Sequence, residues 1–382
     1  MWRRNRDAYA SRSPVECWSD PLNSQHPSSW TYADSRQRFR DAATVAGWEV
    51  EEHAIDALGP GGERLTIDVA ISPNEGYRRT VIVSSGLHGV EGAFGAAVQR
   101  ECLADWPLME AFPDVRFVFV HALNPFGFAW SRRVNEENVD LNRNFLLEGQ
   151  EYRGSPDAYR KLDPLLNPQR PPQRLDGFYL QAGLAVLRDG MPALKQAVAG
   201  GQYDFPQGLF FGGHGPSQTQ RILREQLRRW AGDSRAVTHL DFHTGLGRWG
   251  TYKLLLDDEM PPERRERMRR TFGDDAVQPA RSDGVAYSAR GSLGPWCASL
   301  LGGVDYVYAC AEFGTYPALR VLAGLRAENQ ATHWANANSV ITMESRRRLR
   351  ALFCPPHGSW WERLLPPAIG LVQAAAETDD AK

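Results

Sequence analysis

The chain has 382 residues, 42% of them hydrophobic and 24% charged, which is the composition of a water-soluble globular protein with one large α/β domain or two smaller ones. Lys and Arg number 44 against 46 Asp and Glu, and a net charge of −2 gives no reason to expect nucleic acid as a partner. No apolar run approaches the roughly 18 residues that a membrane span needs, and five cysteines without a CxxC argue for reduced thiols and a cytoplasmic setting.

Residues 1–28 are polar with scattered Pro and Ser and are expected to form a surface arm. Met1-Trp-Arg-Arg-Asn-Arg-Asp has no apolar stretch after its charges, so it does not read as a secretory signal. A single domain is expected over 29–354, followed by a tail over 355–382. Residues 29–48 predict an amphipathic helix with Trp30, Phe39, Ala43 and Val45 near one face. Glu49–Ala57 and Arg64–Ile71 predict a hairpin around Gly59-Pro-Gly-Gly62. A strand at Thr80–Ser84 then runs through a Gly-bounded turn into a helix from about Val90 to Leu103. Val115–His121 is a near-continuous apolar run of the kind buried on both faces.

The loop that follows, Ala122 to Phe145, is long and rich in polar groups, which marks it as functional. Residues 146–235 read as an insertion, Pro-, Gly- and Gln-rich over 146–215, with one helix around Leu175–Leu187 and an exposed Arg-rich helix at Gln218–Trp230. Ala236 begins a strand that ends in His243-Thr-Gly, and Gly250–Leu256 predicts another. A charged helix is expected at Pro262–Phe272, a short one at Gly294–Leu301 and a buried strand at Val304–Cys310. Glu312 follows that strand. Helices at Pro317–Glu328 and Ala331–Leu349, and a short one beside Trp360 and Trp361, complete the chain. Strands alternating with helices imply a three-layer α/β/α sandwich around a central mixed, mostly parallel twisted sheet.

Four chemically loaded groups fall at the carboxyl ends of predicted strands, where open α/β sheets place ligands. They are His88 with Glu91, the Arg132–Arg143 loop, Asp241 with His243, and Glu312. Two imidazoles and a carboxylate make a three-ligand set for a catalytic Zn2+ with one open position. The set is His88, Glu91 and His243, and Asp241 lies on the same strand face as His243. Glu312, next to a buried strand, suits a general base of raised pKa. Arg132 or Arg133 could face a developing oxyanion, and Arg143 with Asn142 could hold a substrate carboxylate.

The order of HxxE, NPxGF, an Arg-bearing loop with DxNRNF, HTG, and a Glu after a strand resembles the zinc metallocarboxypeptidases of the M14 clan. More narrowly, it is similar to the branch defined by the DUF2817 domain, over roughly residues 30–350. The resemblance implies zinc ligation by His88, Glu91 and His243, with Glu312 as general base. It further implies that Asn142 and Arg143 bind the C-terminal carboxylate, and that Arg133 or Arg132 polarises the scissile carbonyl. Asp140 would support His88 from behind the metal, and Tyr287 would be the residue of a mobile capping loop. The substrate implied is a small peptide with a free carboxylate. A related group, the aspartoacylase and succinylglutamate desuccinylase-like deacylases, shares much of the pattern and would instead imply an N-acyl amino acid. The sequence is silent on oligomeric state.

Overall fold

The computed structural model describes residues 26–105, 111–173, 176–190, 200–256, 260–279 and 290–378. Most of the expected 1–28 arm lies outside these residues. Among the described residues, eight strands form one sheet: β1 (Glu49–Leu58), β2 (Arg64–Ile71), β3 (Arg79–Ser85), β4 (Val115–His121), β5 (Ala236–Thr244), β6 (Tyr252–Leu256), β7 (Val277–Pro279) and β8 (Asp305–Phe313). Their spatial order is β1-β2-β4-β3-β5-β8-β6-β7. The central run β4-β3-β5-β8 is parallel, and β1, β2 and β6 join by antiparallel pairing. The sheet is therefore mixed and mostly parallel, as the sequence pattern implies.

Around it lie α1 (Tyr32–Val45), α2 (Gly92–Ala104), α3 (Pro125–Trp130), α4 (Asp157–Leu166), α5 (Phe178–Asp189) and α6 (Gln218–Ala231). Then come α7 (Pro262–Phe272), α8 (Leu293–Leu300), α9 (Ala318–Trp334), α10 (Val340–Phe353) and α11 (Gly358–Glu377). Strand alternation sorts the core into two layers. Val81, Val83, Phe117, Phe119, Leu240 and Phe242 bury one face of the sheet with Phe39, Phe94, Trp360 and Trp361. Ile82, Val118, Val120 and Val237 bury the other with Leu223, Leu227, Trp230 and Trp296. This is the expected three-layer sandwich.

Several elements differ in extent from their sequence signals. Thr31 and Asp34 form a reciprocal cap, so α1 starts after Trp30, and Val45 in its last turn is 90% exposed. The break between α9 and α10 lies beyond Trp334, where Ser339 caps the next helix. The last helix is long, not short: α11 runs 20 residues and drives Trp360, Trp361, Leu364 and Ile369 into the core beside α2 and β3. The Arg-rich α6 exposes only one face, and its other face carries Leu223, Leu227 and Trp230. Most relevant to function, β8 extends to Phe313, so Glu312 lies within the strand.

β3 is the pivot of the topology. Its sequence successor β4 lies on one side and β5 on the other. A crevice opens outside the carboxyl ends of two strands where the chain order diverges in this way. His88 follows β3, and His243 is near the end of β5.

Candidate active site

The turn after β3 is shaped by close backbone approach. Gly89 N–H and Val90 N–H donate to the carbonyls of Arg133 and Arg132, at 3.2 and 2.8 Å. A Cβ on Gly89 would stand 2.1 Å from the carbonyl carbon of Gly127, so only glycine fits there. Asn124 caps α3 by accepting from Gly127 N–H at 2.8 Å, and its amide donates to Arg133 O at 3.2 Å. The Asn-Pro-Phe-Gly stretch thus fixes the Arg-bearing loop against the His88–Glu91 turn.

Three groups converge at this junction. His88 Nδ1 lies 3.0 Å from Glu91 Oε1, His243 Nδ1 lies 3.1 Å from Glu91 Oε2, and the two Nδ1 atoms are 3.2 Å apart. All three side chains are buried. Zinc bonds of about 2.0–2.1 Å in a tetrahedron put neighbouring ligand atoms about 3.3 Å apart, close to this triangle. The far nitrogen of His243 faces Asp241 Oδ2 at 2.7 Å, and that of His88 faces Asp140 Oδ1 at 3.3 Å. Each ring that gives its Nε2 proton to a carboxylate presents a lone pair at Nδ1 to the Glu91 carboxylate. Such a cluster requires positive charge at its centre, from a proton or a metal cation. The donor set and spacing fit zinc, and among the described residues this group and His243–Cys310–Glu312 are the ones with ligand atoms close enough to share an ion.

The protonation tendencies follow the same electrostatics. Burial alone would raise the pKa of Glu91, but the His88 and His243 imidazoles hold it far below the usual range. Burial would lower the pKa of His243, yet Cys310 and Asp241 carry it well above the ordinary value. Asp140 is buried too, and the Arg133 and Arg143 guanidiniums keep it well below normal. Glu312 goes the other way: burial first, then the negative charge of Glu91, push it up to about 8.

Glu312 reaches the cluster through strand register, because His243 on β5 is directly paired with Glu312 on β8. The chain after His243 then bends back. Thr244 N–H donates to Glu91 Oε2 at 3.0 Å, and Gly245 takes a φ of +127°, which disfavours a side chain. Leu246 N–H consequently meets Glu312 Oε1 at 2.7 Å. The His-Thr-Gly-Leu turn thus meets two carboxylates, Glu91 through Thr244 N–H and Glu312 through Leu246 N–H, while Gly245 N–H donates to Phe313 O at 3.0 Å.

The two consecutive arginines diverge. Arg133 donates from Nε to Asp140 Oδ2 at 2.9 Å, its Nη1 is 3.5 Å from Glu91 Oε1, and its Nη2 is 2.7 Å from His88 Nε2. Arg132 pairs with Glu328 at 2.8 Å and Asn138 at 3.0 Å, away from the triangle. Asn142 Oδ1 accepts from Leu293 N–H at 3.1 Å. Arg143 is fully enclosed, with Nη1 donating to the Asn142 carbonyl at 2.6 Å and its side chain against Gly201. Tyr287 lies outside the described residues.

Some participants had no motif to announce them. Ser84, Tyr308 and Cys310 look like ordinary strand residues, yet period-two alternation puts them on the face that carries Asp241, His243 and Glu312. Glu328, which fixes Arg132, sits in the middle of a helix 196 residues away in sequence and carries no local signal.

Against known proteins, no curated sequence matches. Among solved structures, thrombin activatable fibrinolysis inhibitor is 12% identical with a TM-score of 0.47, covering 95% of this chain and 80% of that one. Carboxypeptidase A from Helicoverpa armigera is 11% identical with a TM-score of 0.45, covering 89% and 78%. Murein-tripeptide amidase MpaA from Escherichia coli O157 is 16% identical with a TM-score of 0.37, covering 76% and 93%. The family model described as "Protein of unknown function (DUF2817)" matches residues 29–366, nearly the whole chain, and the protein belongs to that family.

Proposed function

We propose that the protein is a zinc-dependent hydrolase of the metallocarboxypeptidase type, cleaving a peptide or amide bond next to a free carboxylate. The observation that carries this reading is the convergence of His88 Nδ1, His243 Nδ1 and Glu91 at 3.0–3.2 Å beside a second buried carboxylate, Glu312. Bound zinc would supply an acidified water and a Lewis acid for the carbonyl oxygen.

The remaining roles belong to the protein's own groups. Glu312, with a pKa pushed up to about 8, suits taking a proton and returning it to the leaving amine near neutral pH. Leu246 N–H holds its Oε1 at 2.7 Å, and the Cys310 thiol lies 4.0 Å from Oε2. Asp140 and Asp241 orient the ligand imidazoles from their Nε2 side, a support that typically affects metal affinity or activity by ~10–100-fold. Arg133, next to His88 and Glu91, is assigned to the oxyanion, and Arg132 to holding the loop through Glu328. Asn142 and Arg143 are assigned to the substrate carboxylate and Tyr287 to capping the bound substrate. The enclosure of Arg143 implies that a carboxylate reaches it only when its surroundings open.

The reading is tested by supplying the zinc-loaded protein with a library of short peptides and, separately, with N-acetyl- and N-succinyl-amino acids. Release of C-terminal residues from the peptides is expected, and it should be abolished in Glu312→Gln. Cleavage of the N-acyl amino acids alone would move the assignment to the deacylase class. Turnover that survives Glu312→Gln would overturn the proton-transfer role.

A further inference from the structure

Behind the candidate metal ligands, the sheet face that carries His243 is polar where a buried sheet is normally apolar. Asp241 is fully buried, and Ser84 and His239 almost so. Two hydroxyls bind the Asp241 carboxylate: Ser84 Oγ donates to Oδ1 at 2.6 Å and Tyr308 OH donates to Oδ2 at 3.0 Å. His243 Nε2 meets the same Oδ2 at 2.7 Å. These groups come from three adjacent strands, because β3, β5 and β8 are in register here: Ser84 pairs with Asp241, and Asp241 with Cys310.

The direction of each hydrogen bond follows from counting protons. Ser84 has one hydroxyl proton, and the Asp241 carboxylate can only accept, so that proton goes to Asp241. His239 Nε2, 2.7 Å from Ser84 Oγ, must then be the donor to Ser84. That leaves His239 Nδ1 as an acceptor, matched by Tyr306 OH at 2.8 Å. The chain therefore runs one way, from Tyr306 through His239 and Ser84 into Asp241. With those hydroxyls in place, Asp241 Oδ2 accepts the Nε2–H of His243 at 2.7 Å. His243 is left with Nδ1 as the ligating atom. His88 is held differently, with its Nε2 3.3 Å from Asp140 Oδ1 and 2.7 Å from Arg133 Nη2.

We infer that Ser84 and Tyr308 are positioning residues that, through Asp241, hold His243 as the preset anchor of the metal site. The inference rests on the metal-site reading above. A ligand whose ring orientation is fixed in advance loses less on coordination, so the network acts on affinity and on the rate of metal loss.

The test is chelator competition with Co2+ and with Zn2+ on the full-length protein, following the visible spectrum of the Co2+ form. Wild type, Tyr308→Phe, Ser84→Ala and the rescue variant Ser84→Thr would be compared. Ile82→Val, on the same face of β3, serves as a packing control. Tyr308→Phe and Ser84→Ala are each expected to weaken binding by about tenfold, in the range for groups behind a ligand, with a faster metal off-rate and a shifted Co2+ spectrum. Ser84→Thr should restore most of the affinity and Ile82→Val should leave it unchanged. Wild-type affinity in both Tyr308→Phe and Ser84→Ala would overturn the inference while leaving the metal site standing. An equal loss in Ile82→Val would reduce the network to a packing role. A wild-type protein that binds neither ion would instead refute the metal-site reading itself.

Discussion

Replacing Glu312 by Gln should stabilise the metal-free fold, and by more as the pH rises. Burial and the neighbouring Glu91 carboxylate push the folded-state pKa of Glu312 up to about 8, against an ordinary glutamate value of 4.5. Between those two values the folded protein holds a proton that the unfolded chain has released. The unfolded state then binds fewer protons, so the stability contributed by this group falls with rising pH, and all of the loss is reached above the folded-state pKa. At pH 7 the gap from 4.5 is about 2.5 pH units, which at about 1.4 kcal/mol per unit is a cost on the order of 3 kcal/mol. Gln keeps the shape and the acceptor for Leu246 N–H and never ionises. Urea unfolding of the chelator-treated wild type and variant at pH 5, 6, 7 and 8 reads the difference directly. The variant should gain little at pH 5 and about 3 kcal/mol at pH 7. Bound metal should shrink the gain, since a cation nearby favours the Glu312 carboxylate. Curves for the two proteins that stay parallel from pH 5 to 8 would refute the raised pKa, and with it the argument for Glu312 as a base near neutrality.

Four further substitutions probe the rest of the site and the fold. Arg133→Gln should reduce kcat/KM by about 100-fold or more, as for loss of an oxyanion donor, with metal still bound; Arg132→Gln should mainly lower the unfolding temperature by stranding buried Glu328. A larger kinetic loss in Arg132→Gln would reverse the two assignments. Gly89→Ala forces a Cβ against the Gly127 and Phe128 backbone and should displace the His88–Glu91 turn, read as weakened metal binding together with a lower melting temperature. Trp360→Ala empties a fully buried site between α11 and the sheet, and should cost about 3–5 kcal/mol in chemical denaturation; a cost under about 1 kcal/mol would show that α11 is not integral to the core.

The candidate metal ligands were legible because an α/β sheet concentrates chemistry at strand ends, so polar residues interrupting apolar runs at His88, His243 and Glu312 stand out. The architecture was legible for a related reason: β4 is buried on both faces and reads as an apolar run, and strand signals alternate with helix signals along the chain. What escaped depended on information that no local window contains. Arg132 and Arg133 are neighbours with the same side chain, and their surroundings diverge through groups distant in sequence, Glu328 for Arg132 and His88 with Glu91 for Arg133. The end of β8 was set by residue-for-residue pairing with β5 rather than by its own composition, which carries Glu312 into the strand. The length of α11 was masked by Pro366 and Pro367, which read as helix breakers but lie inside it. Ser84 and Tyr308 became visible only when β3, β5 and β8 were brought into register.

The central claim is that His88, Glu91 and His243 form one metal site, and metal content measured on purified protein tests it most directly. After loading with zinc and removal of free ion, wild type should retain about one zinc per chain, the stoichiometry of a three-ligand catalytic site. Glu312→Gln should retain the same amount, and His243→Ala should retain almost none. A His243→Ala protein that is folded and keeps its full zinc content would contradict the account.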